Sequence, residues 1–305
     1  MTMKASHRFR QLVSLCVGAS LLSCLPKDTR PPPSSVLVNV TPADSTTNGI
    51  SAASTADGWE IAFDTFLVAV GEISLDGSSC SSYSEARYLR LFDALVPGTQ
   101  KLSESFALGQ CDFGFRVANA ADDSLLASGA RPQDLIFMRT PGTDSYAGLS
   151  GVSIYVQGHA QNQDAIKTFS WDFRQEVQSN ECSNATDVGT VRGLSLVQNG
   201  AVTVDLEIHG ETLFEDSLQA ASSALRFAPF ADADTVSGND DGEISLDELA
   251  TVQLTSINVD GHYSTPTGGP DVGKTLRDYV YLGAFPRIVR FANAGTCTIK
   301  LGHGD

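Results

Sequence analysis

The stretch Val202-Thr203-Val204-Asp205-Leu206-Glu207-Ile208 alternates apolar and polar side chains without a break. Successive side chains of a β-strand point to opposite faces, so this pattern predicts a strand with one buried and one solvated face. Phe169-Ser170-Trp171-Asp172-Phe173 repeats the alternation. Strands that need only one covered face are typical of antiparallel sheets, and we therefore predict a fold built from them.

Strand patterns outnumber helical ones along the chain. Further strand patterns cover residues 59–65, 66–70, 88–92, 113–117 and 152–156, whereas helical patterns cover only 213–226, 246–250 and 275–292. Pro286 interrupts the last of these. The predicted fold is mainly β, an antiparallel β-sandwich-like domain with a late helix–loop–helix insertion and one C-terminal helix. We divide it near residue 130 into two β-rich halves, 54–130 and 131–305.

The first residues have the pattern of a secretory signal. Lys4, Arg8 and Arg10 precede an apolar run, residues 11–22, that is too short to span a bilayer. The run ends in Leu21-Leu22-Ser23-Cys24, which resembles the lipobox of bacterial lipoproteins. The resemblance implies that residues 1–23 are removed and that Cys24 becomes a lipidated N-terminus. A signal cleaved at another position is the alternative.

Residues 24–53 are rich in Pro, Ser and Thr, and they include Arg30-Pro-Pro-Pro-Ser-Ser35. This composition predicts a tether that holds the folded part away from the membrane of the bacterial cell envelope. Removal of the signal leaves 17 basic residues against 36 acidic ones, a formal charge of −19. That charge argues against nucleic acid as a partner. The lipid is the only membrane contact that we predict, and the sequence identifies no protein or glycan partner.

The cysteines predict a disulfide-bonded protein. Of six cysteines, one lies in the signal and Cys24 is lipidated, which leaves an even set of four. In an oxidising compartment four cysteines form two disulfides, with three possible pairings. We favour Cys80 with Cys111, which are neighbours in sequence, and Cys182 with Cys297, which would tie the end of the chain to its middle.

The most acidic stretch runs from Asp232 to Glu248, within the predicted helix–loop–helix segment 213–250. It resembles the EF-hand calcium loop, in which glycine at position 6 turns the chain and glutamate at position 12 closes the ligand shell; Gly242 and Glu248 match these positions. Counting back from Gly242 puts Ser237 at position 1, where it supplies too little charge, so we favour an expanded loop. The resemblance predicts Ca²⁺ as the cofactor, bound by Asp232, Asp234, Asp240, Asp241, Glu243 and Glu248. An acidic turn with a helix cap and no metal is the alternative.

The order of these features is similar to that of a group of bacterial surface lipoproteins. The shared features are the lipobox, the tether, Asp57-Gly58-Trp59 at the start of a strand, His209-Gly210 at the end of another, and the late acidic loop. The resemblance implies a location at the cell surface and calcium binding, and it implies no catalytic activity.

Two other patterns are weaker. His159 and His209 each follow a strand, and if those strands are neighbours the two imidazoles would share a transition metal with Glu211, His262 or His303. This alternative describes an exported metal-handling or carbohydrate-active protein. Residues 268–275 match the phosphate-binding pattern G-x-x-x-x-G-K-[ST], but a polar turn precedes them instead of a buried strand.

The sequence predicts neither nucleotide binding nor an enzyme. The serine at position 150 lacks the spacing of a nucleophile elbow, and no His-Glu-x-x-His stretch occurs. We therefore expect a non-enzymatic surface protein with an adhesion or binding role.

Overall fold

The computed structural model describes residues 29–142, 151–186, 189–218, 223–258, 261–263, 273–292 and 295–303. Residues 32–305 form one compact unit, and residues 1–31 form a separate one of which only 29–31 are described. Cys24 and the predicted signal therefore lie outside the described residues. The predicted boundary near residue 130 is wrong, because the strands on its two sides pair with each other in one sheet.

Strands make up 48% of the structure and helices 20%, so the prediction of a mainly β fold is confirmed. The strands are β1 (Ser34–Pro42), β2 (Glu60–Asp76), β3 (Cys80–Ser84), β4 (Ala86–Asp93), β5 (Gln100–Val117), β6 (Leu125–Leu126), β7 (Ile154–Gln161), β8 (Ile166–Phe173), β9 (Gln175–Thr186), β10 (Gly189–Arg192), β11 (Leu194–Leu196), β12 (Ala201–Ile208), β13 (Glu243–Ile244), β14 (Val289–Phe291) and β15 (Thr296–His303). The helices are short: α1 (Asp44–Asn48), α2 (Pro132–Met138), α3 (Ala228–Thr235), α4 (Leu246–Leu249), α5 (Leu254–Ile257) and α6 (Leu276–Asp278). None of these described helices is long and apolar enough to span a membrane.

Hydrogen bonds join the fifteen strands of the described residues into one curled sheet, whose main path is β13-β8-β7-β2-β5-β1-β12-β14. Two long strands, β2 and β5, make the curl possible, with 17 and 18 residues. The first part of β5 pairs with β1, and its last part pairs with β2 and β9. Most pairs are antiparallel, as predicted, but β1–β12, β4–β6 and β8–β13 are parallel.

A bulge in β2 marks one bend of the sheet. The register of β2 against both β4 and β5 shifts directly after Gly71. A Cβ atom at Gly71 would stand 2.1 Å from the carbonyl oxygen of Tyr88, so only glycine fits there. The next residue, Glu72, has a φ of 48° and turns its carboxylate toward Arg116. Bulges of this kind bend a strand and redirect a side chain.

Strand β1 corrects the predicted tether. It lies between β5 and β12, and Val36, Val38 and Val40 are buried in the core. Residues 34–53 therefore belong to the folded domain, and the tether prediction was wrong for that part of 24–53. The Pro and Ser residues around position 33 dominate the local composition, although the alternation of the three valines already has the period of a strand.

The chain before the acidic stretch also differs from the prediction. Residues 213–226 were predicted to be a helix, but the structure has a 3₁₀ turn at Gly210–Phe214, and the helix that leads into the acidic stretch is α3. The Asp216 carboxylate accepts hydrogen bonds from Ala224 N at 2.8 Å and Arg226 Nε at 2.6 Å. These bonds join Asp216 to residues 224 and 226. Residues 219–222 lie outside the described part.

The predicted C-terminal helix is present only in its first part. α6 passes into a π-helical turn, Tyr279–Ala284, and a 3₁₀ turn, Phe285–Arg287. The helical stretch ends next to Pro286, where an interruption was predicted, and the chain continues as β14 and β15. Strand β15 pairs with β9, so the end of the chain completes the sheet instead of lying on it.

Both favoured disulfides are present in the structure. Cys80 bonds to Cys111 across a separation of 31 residues, and Cys182 bonds to Cys297 across 115. The first connects β3 to β5, and the second connects β9 to β15. The second bond therefore fastens the last strand to the middle of the chain, as the pairing prediction required.

An aromatic cluster fills the core beneath the acidic stretch. It contains Phe169 and Trp171 of β8, together with Phe214, Phe227 and Phe230, all of which are at most 1% exposed. The rings of Trp171 and Phe230 lie 5.7 Å apart, and those of Phe214 and Phe227 lie 5.5 Å apart. Phe230 belongs to α3, so this cluster fixes the position of the helix against β8.

Candidate cation site at the acidic loop

The acidic loop, residues 236–242, connects α3 to β13, and α4 follows. This helix–loop–strand–helix order agrees with the predicted insertion, although α3 begins later than expected. β13 adds to the edge of β8, where Glu243 pairs with Thr168 and Ile244 with Phe169. The indole Nε1 of Trp171 donates to the Ile244 carbonyl at 2.9 Å. The far end of the loop is therefore attached to the sheet.

Asp234, in the last turn of α3, organises the loop. Its side chain is fully buried, and its two oxygens accept hydrogen bonds from Asp241 N and Gly242 N, each at 3.1 Å. Oδ2 also accepts a hydrogen bond from Lys167 Nζ at 2.5 Å. One carboxylate thus holds two loop N–H groups and a cationic side chain. Charge-assisted bonds of this kind are among the stronger ones in proteins.

Lys167 was not among the predicted site residues. It lies on β8 in the same phase as Phe169 and Trp171, and its side chain is only 6% exposed. Nζ also lies 3.5 Å from Asp240 Oδ1, whose side chain is 70% exposed. The signal in the sequence was a lysine at an inward position of an alternating strand, a position that ordinarily holds an apolar side chain.

Burial and pairing act in opposite directions on the two charges. Burial alone disfavours the charged form of each group, but the hydrogen bond and charge of the partner outweigh it. The pKa of Lys167 is therefore raised and the pKa of Asp234 is lowered. Both groups are charged at neutral pH, and they form a buried ion pair between the sheet and the loop.

Glu248 stabilises the loop from its C-terminal side. Its Oε2 accepts hydrogen bonds from Ser245 N at 2.9 Å and Ser245 Oγ at 3.0 Å, while Glu248 N donates to Ser245 Oγ. This is the capping box of α4. Its Oε1 accepts a hydrogen bond from Asn239 N at 3.3 Å. The glutamate therefore stabilises both the start of a helix and the middle of the loop.

Local hydrogen bonds shape the turn before β13. Asp241 Oδ1 accepts a bond from Glu243 N at 2.9 Å, and Asp241 Oδ2 accepts one from Asn239 Nδ2 at 2.9 Å. Gly242 has a φ of 89°, a conformation that favours glycine, and its carbonyl accepts a bond from Thr168 N at 2.8 Å. The turn thus directs the chain onto the edge of β8.

The six predicted calcium ligands are not gathered around one point. Asp234 in α3 and Glu248 in α4 accept hydrogen bonds from the loop. Four of the six residues are exposed: Asp232, Asp240, Asp241 and Glu243. Within the described ranges, no group of three or more His, Cys, Asp or Glu side chains is arranged to hold a metal ion. The cation that contacts Asp234 and Asp240 is Lys167. Calcium binding at Asp234 therefore requires the ammonium group to leave.

The three histidines of the alternative prediction whose side chains are described, His159, His209 and His262, each have their own carboxylate partners. His159 Nδ1 lies 3.1 Å from Asp64 Oδ2. His209 lies between Glu211, at 2.6 Å, and Glu207, at 3.1 Å. His262 contacts Asp216, and the His303 side chain lies outside the described part of the structure. The part of the chain that the structure describes does not bring these histidines together at a metal-binding group.

The Glu211 carboxylate is hydrogen-bonded to both His209 and Ser45. Burial would raise its pKa, but hydrogen bonds from His209 and Ser45 outweigh burial and lower the pKa. The Thr46 hydroxyl donates to the carbonyl of Ile208 at 3.0 Å and accepts from Gly210 N at 2.8 Å. These bonds attach α1 to the end of β12, which indicates a structural role for the His209-Gly210 stretch.

The Asp57-Gly58-Trp59 stretch also has a structural explanation. Asp57 Oδ2 accepts hydrogen bonds from Phe227 N and Ala228 N, both at 2.7 Å, at the start of α3. Gly58 has a φ of 76°, and the Trp59 ring lies 5.0 Å from the ring of Phe227. Asp57 thus caps a helix that lies 170 residues later in the sequence. Through α3 it also positions the acidic loop.

The phosphate-binding pattern at residues 268–275 lies mostly outside the described residues. In its described part, Asp278 Oδ2 accepts hydrogen bonds from Lys274 N and Thr275 N, each at 3.0 Å. Asp278 N donates to Thr275 Oγ1 at 3.2 Å. Two of the N–H groups that would face a phosphate, those of Lys274 and Thr275, are therefore used by a carboxylate of the same turn.

A polar cleft lies on the sheet away from the loop. Its volume is about 450 Å³, and Arg116 projects from β5 between Glu72 and Glu176. Gln178 and Asn180 of β9 complete one wall. Guanidinium, carboxylate and amide groups supply both hydrogen-bond donors and acceptors to this cleft.

Comparisons with known proteins add no relative to this description. No protein-family model, no curated protein and no solved structure matches the chain.

Proposed function

We propose that the protein is an exported, lipid-anchored, non-enzymatic protein of the bacterial cell envelope whose acidic loop binds one structural calcium ion. The observation that carries the calcium proposal is the Asp234 carboxylate, which is buried, charged and in contact with two loop N–H groups and a cation. Asp234, Asp240 and Asp241 would supply oxygen ligands, with Glu248 closing the loop. Calcium prefers oxygen ligands of this kind.

The disulfides support the exported location. Cys80–Cys111 and Cys182–Cys297 are the type of bond that persists in oxidising compartments. Because β1 begins at Ser34, only nine residues, 25–33, separate Cys24 from the sheet, and an extended chain over that distance reaches about 35 Å at most. An anchor at Cys24 would therefore keep the domain close to the membrane.

Metabolic labelling of the full-length chain with a fatty-acid analogue tests the anchor. We expect label and membrane fractionation for the wild type and for Cys16→Ser, whose substitution lies in the signal, but not for Cys24→Ser. An unlabelled wild type, or label that survives Cys24→Ser, refutes the lipid anchor.

Thermal unfolding of the full-length protein in detergent tests calcium binding. Extracellular sites have a Kd of about 10⁻⁴ to 10⁻³ M. Calcium at ten times Kd then contributes about 1.4 kcal/mol, which raises the midpoint by roughly 3–6 °C relative to a chelator. Asp241→Asn should reduce this rise, whereas Asp123→Asn, at an exposed turn, should not. An unchanged midpoint, together with no calorimetric binding at millimolar calcium, refutes calcium binding by the wild type.

The polar cleft supports a second candidate function, the binding of a carbohydrate. Sugar hydroxyls pair with carboxylate, amide and guanidinium groups such as those of Glu72, Arg116 and Gln178. A glycan array with the wild type and with Gln178→Ala tests it. Binding that is lost in Gln178→Ala supports the cleft, and an array without any binding removes this candidate.

Transition-metal binding stays a prediction as well. Titration with copper or zinc tests it, with His209→Ala as the comparison. If the wild type binds no more tightly than the variant, His209 has no role in metal binding.

A further inference from the structure

A lysine at an inward position of a strand needs a specific counter-charge. Lys167 shares its face of β8 with Phe169, Trp171 and Phe173, which are at most 1% exposed. A buried ammonium group is tolerated when it is paired and hydrogen-bonded. Asp234 supplies that pairing from α3, at 2.5 Å. Strand and helix therefore contribute opposite charges to one buried contact.

The ammonium group lies at the place where a cation would contact Asp234. Lys167 Nζ is 2.5 Å from Asp234 Oδ2, and calcium–oxygen distances are about 2.3–2.6 Å. The other contacts of the Asp234 carboxylate are two N–H groups, which hold the loop against it. Nζ also approaches Asp240, a second predicted ligand. An ammonium group and a calcium ion cannot occupy this position together, for reasons of both space and charge.

We propose that Lys167 is the internal cation of the acidic loop and competes with calcium for Asp234. This inference rests on the proposed calcium site and names what regulates it. With Lys167 in place the loop is folded without metal. Calcium must displace the ammonium group and leave it without its counter-charge, so Lys167 lowers the affinity of the loop for calcium.

Lys167→Met tests the competition, because methionine is of similar length and carries no charge. Removal of a positive charge from the site should tighten calcium binding on the order of 10-fold or more. Without calcium the variant should unfold at a lower temperature than the wild type, because Asp234 has lost its partner. Added calcium should restore the midpoint. Lys300→Met, an equal change of charge on an exposed strand position, serves as the matched control.

Calcium chloride titrations of full-length wild type, Lys167→Met and Lys300→Met, by calorimetry and thermal unfolding, separate the outcomes. Tighter binding by Lys167→Met alone supports the competition, and calcium binding by the wild type as well supports the proposed function. If only Lys167→Met binds calcium, the competition stands and the proposed function of the wild type fails. Equal affinity in all three proteins overturns the competition and leaves the calcium site intact. No binding by any of them overturns both.

A second variant covers the case in which Lys167→Met does not fold without calcium. Folding that is recovered by adding calcium supports the inference. Lys167→Met combined with Asp234→Asn removes both charges, and it should fold without calcium and not respond to it. If this double variant folds while Lys167→Met fails to fold even with calcium, calcium does not substitute for Lys167 and the inference is wrong.

Discussion

Asp57→Ala tests whether one carboxylate, distant in sequence, holds α3 and the acidic loop in position. Asp57 Oδ2 accepts two hydrogen bonds of 2.7 Å from Phe227 N and Ala228 N. Loss of a helix N-cap costs about 1 kcal/mol, and each buried N–H group left without a partner costs about 1–3 kcal/mol. Because part of this cost is shared, we expect a loss of about 3 kcal/mol.

Urea unfolding followed by tryptophan fluorescence measures this loss. The protein has two tryptophans, Trp59 beside Phe227 and Trp171 beside Phe230, so the signal reports on the contacts of α3. The midpoint should fall with an unchanged slope, which distinguishes a change in stability from a change in the surface exposed. In thermal unfolding, 3 kcal/mol corresponds to roughly 6–12 °C for a domain of this size.

Two comparisons make the Asp57 result interpretable. Asp57→Asn keeps an oxygen acceptor and loses the charge, so it should cost about 1 kcal/mol. Asp123→Ala removes an exposed carboxylate at a turn and should change stability by less than about 0.5 kcal/mol. A loss below about 1 kcal/mol for Asp57→Ala, or an equal loss for Asp123→Ala, would refute the capping role.

Three further predictions concern the rest of the domain. Replacing the Cys182–Cys297 pair by alanines should lower the free energy of unfolding by about 5 kcal/mol, and replacing the Cys80–Cys111 pair should lower it by about 4 kcal/mol. In the chain-entropy model the difference arises because the two bonds close separations of 115 and 31 residues. Urea unfolding that gives the reverse order would contradict this. Gly210→Ala puts a Cβ 2.6 Å from Phe66, so we expect a loss of about 1–3 kcal/mol, whereas Gly302→Ala, with neighbours at 3.8 Å, should be nearly neutral in the same assay. The folded-state pKa of Glu211 lies below its ordinary value near 4.5, so the carboxylate stabilises the fold above pH 4.5, and this contribution is lost as the pH falls through the folded-state pKa. Glu211→Gln lacks this titrating group, so in acid unfolding it should lose less stability below pH 4.5 than the wild type does. An identical acid profile would contradict the assignment.

Much of the sheet was predictable from local patterns. The alternation in residues 169–173 and 202–208 identified β8 and β12, because a half-buried strand places apolar side chains at every second position. The preferred disulfide pairing was also correct. The acidic stretch predicted a helix–loop–helix, and Glu248 at its end forms the capping box of α4. These features depend on residues that are close together in the sequence, or on a small number of possible pairings.

The errors have a common physical origin in contacts between distant residues. Composition alone assigned residues 34–53 to a tether, whereas β1 is a strand because β5 and β12 pair with both of its edges. Apolar spacing predicted a helix over 213–226, but the described residues of this segment include the end of a 3₁₀ turn, and Ala224 and Arg226 bond to the Asp216 carboxylate. In both places tertiary pairing outweighed local preference.

The acidic loop shows the same division. The sequence by itself determined that carboxylates surround a glycine turn and that this arrangement requires positive charge nearby. Only the tertiary structure decided which group supplies that charge: the curl of the sheet and the cap from Asp57 bring α3 against β8, and Lys167 reaches Asp234 across 67 residues of chain. Strand periodicity shows which face a side chain occupies, but not which distant element covers that face.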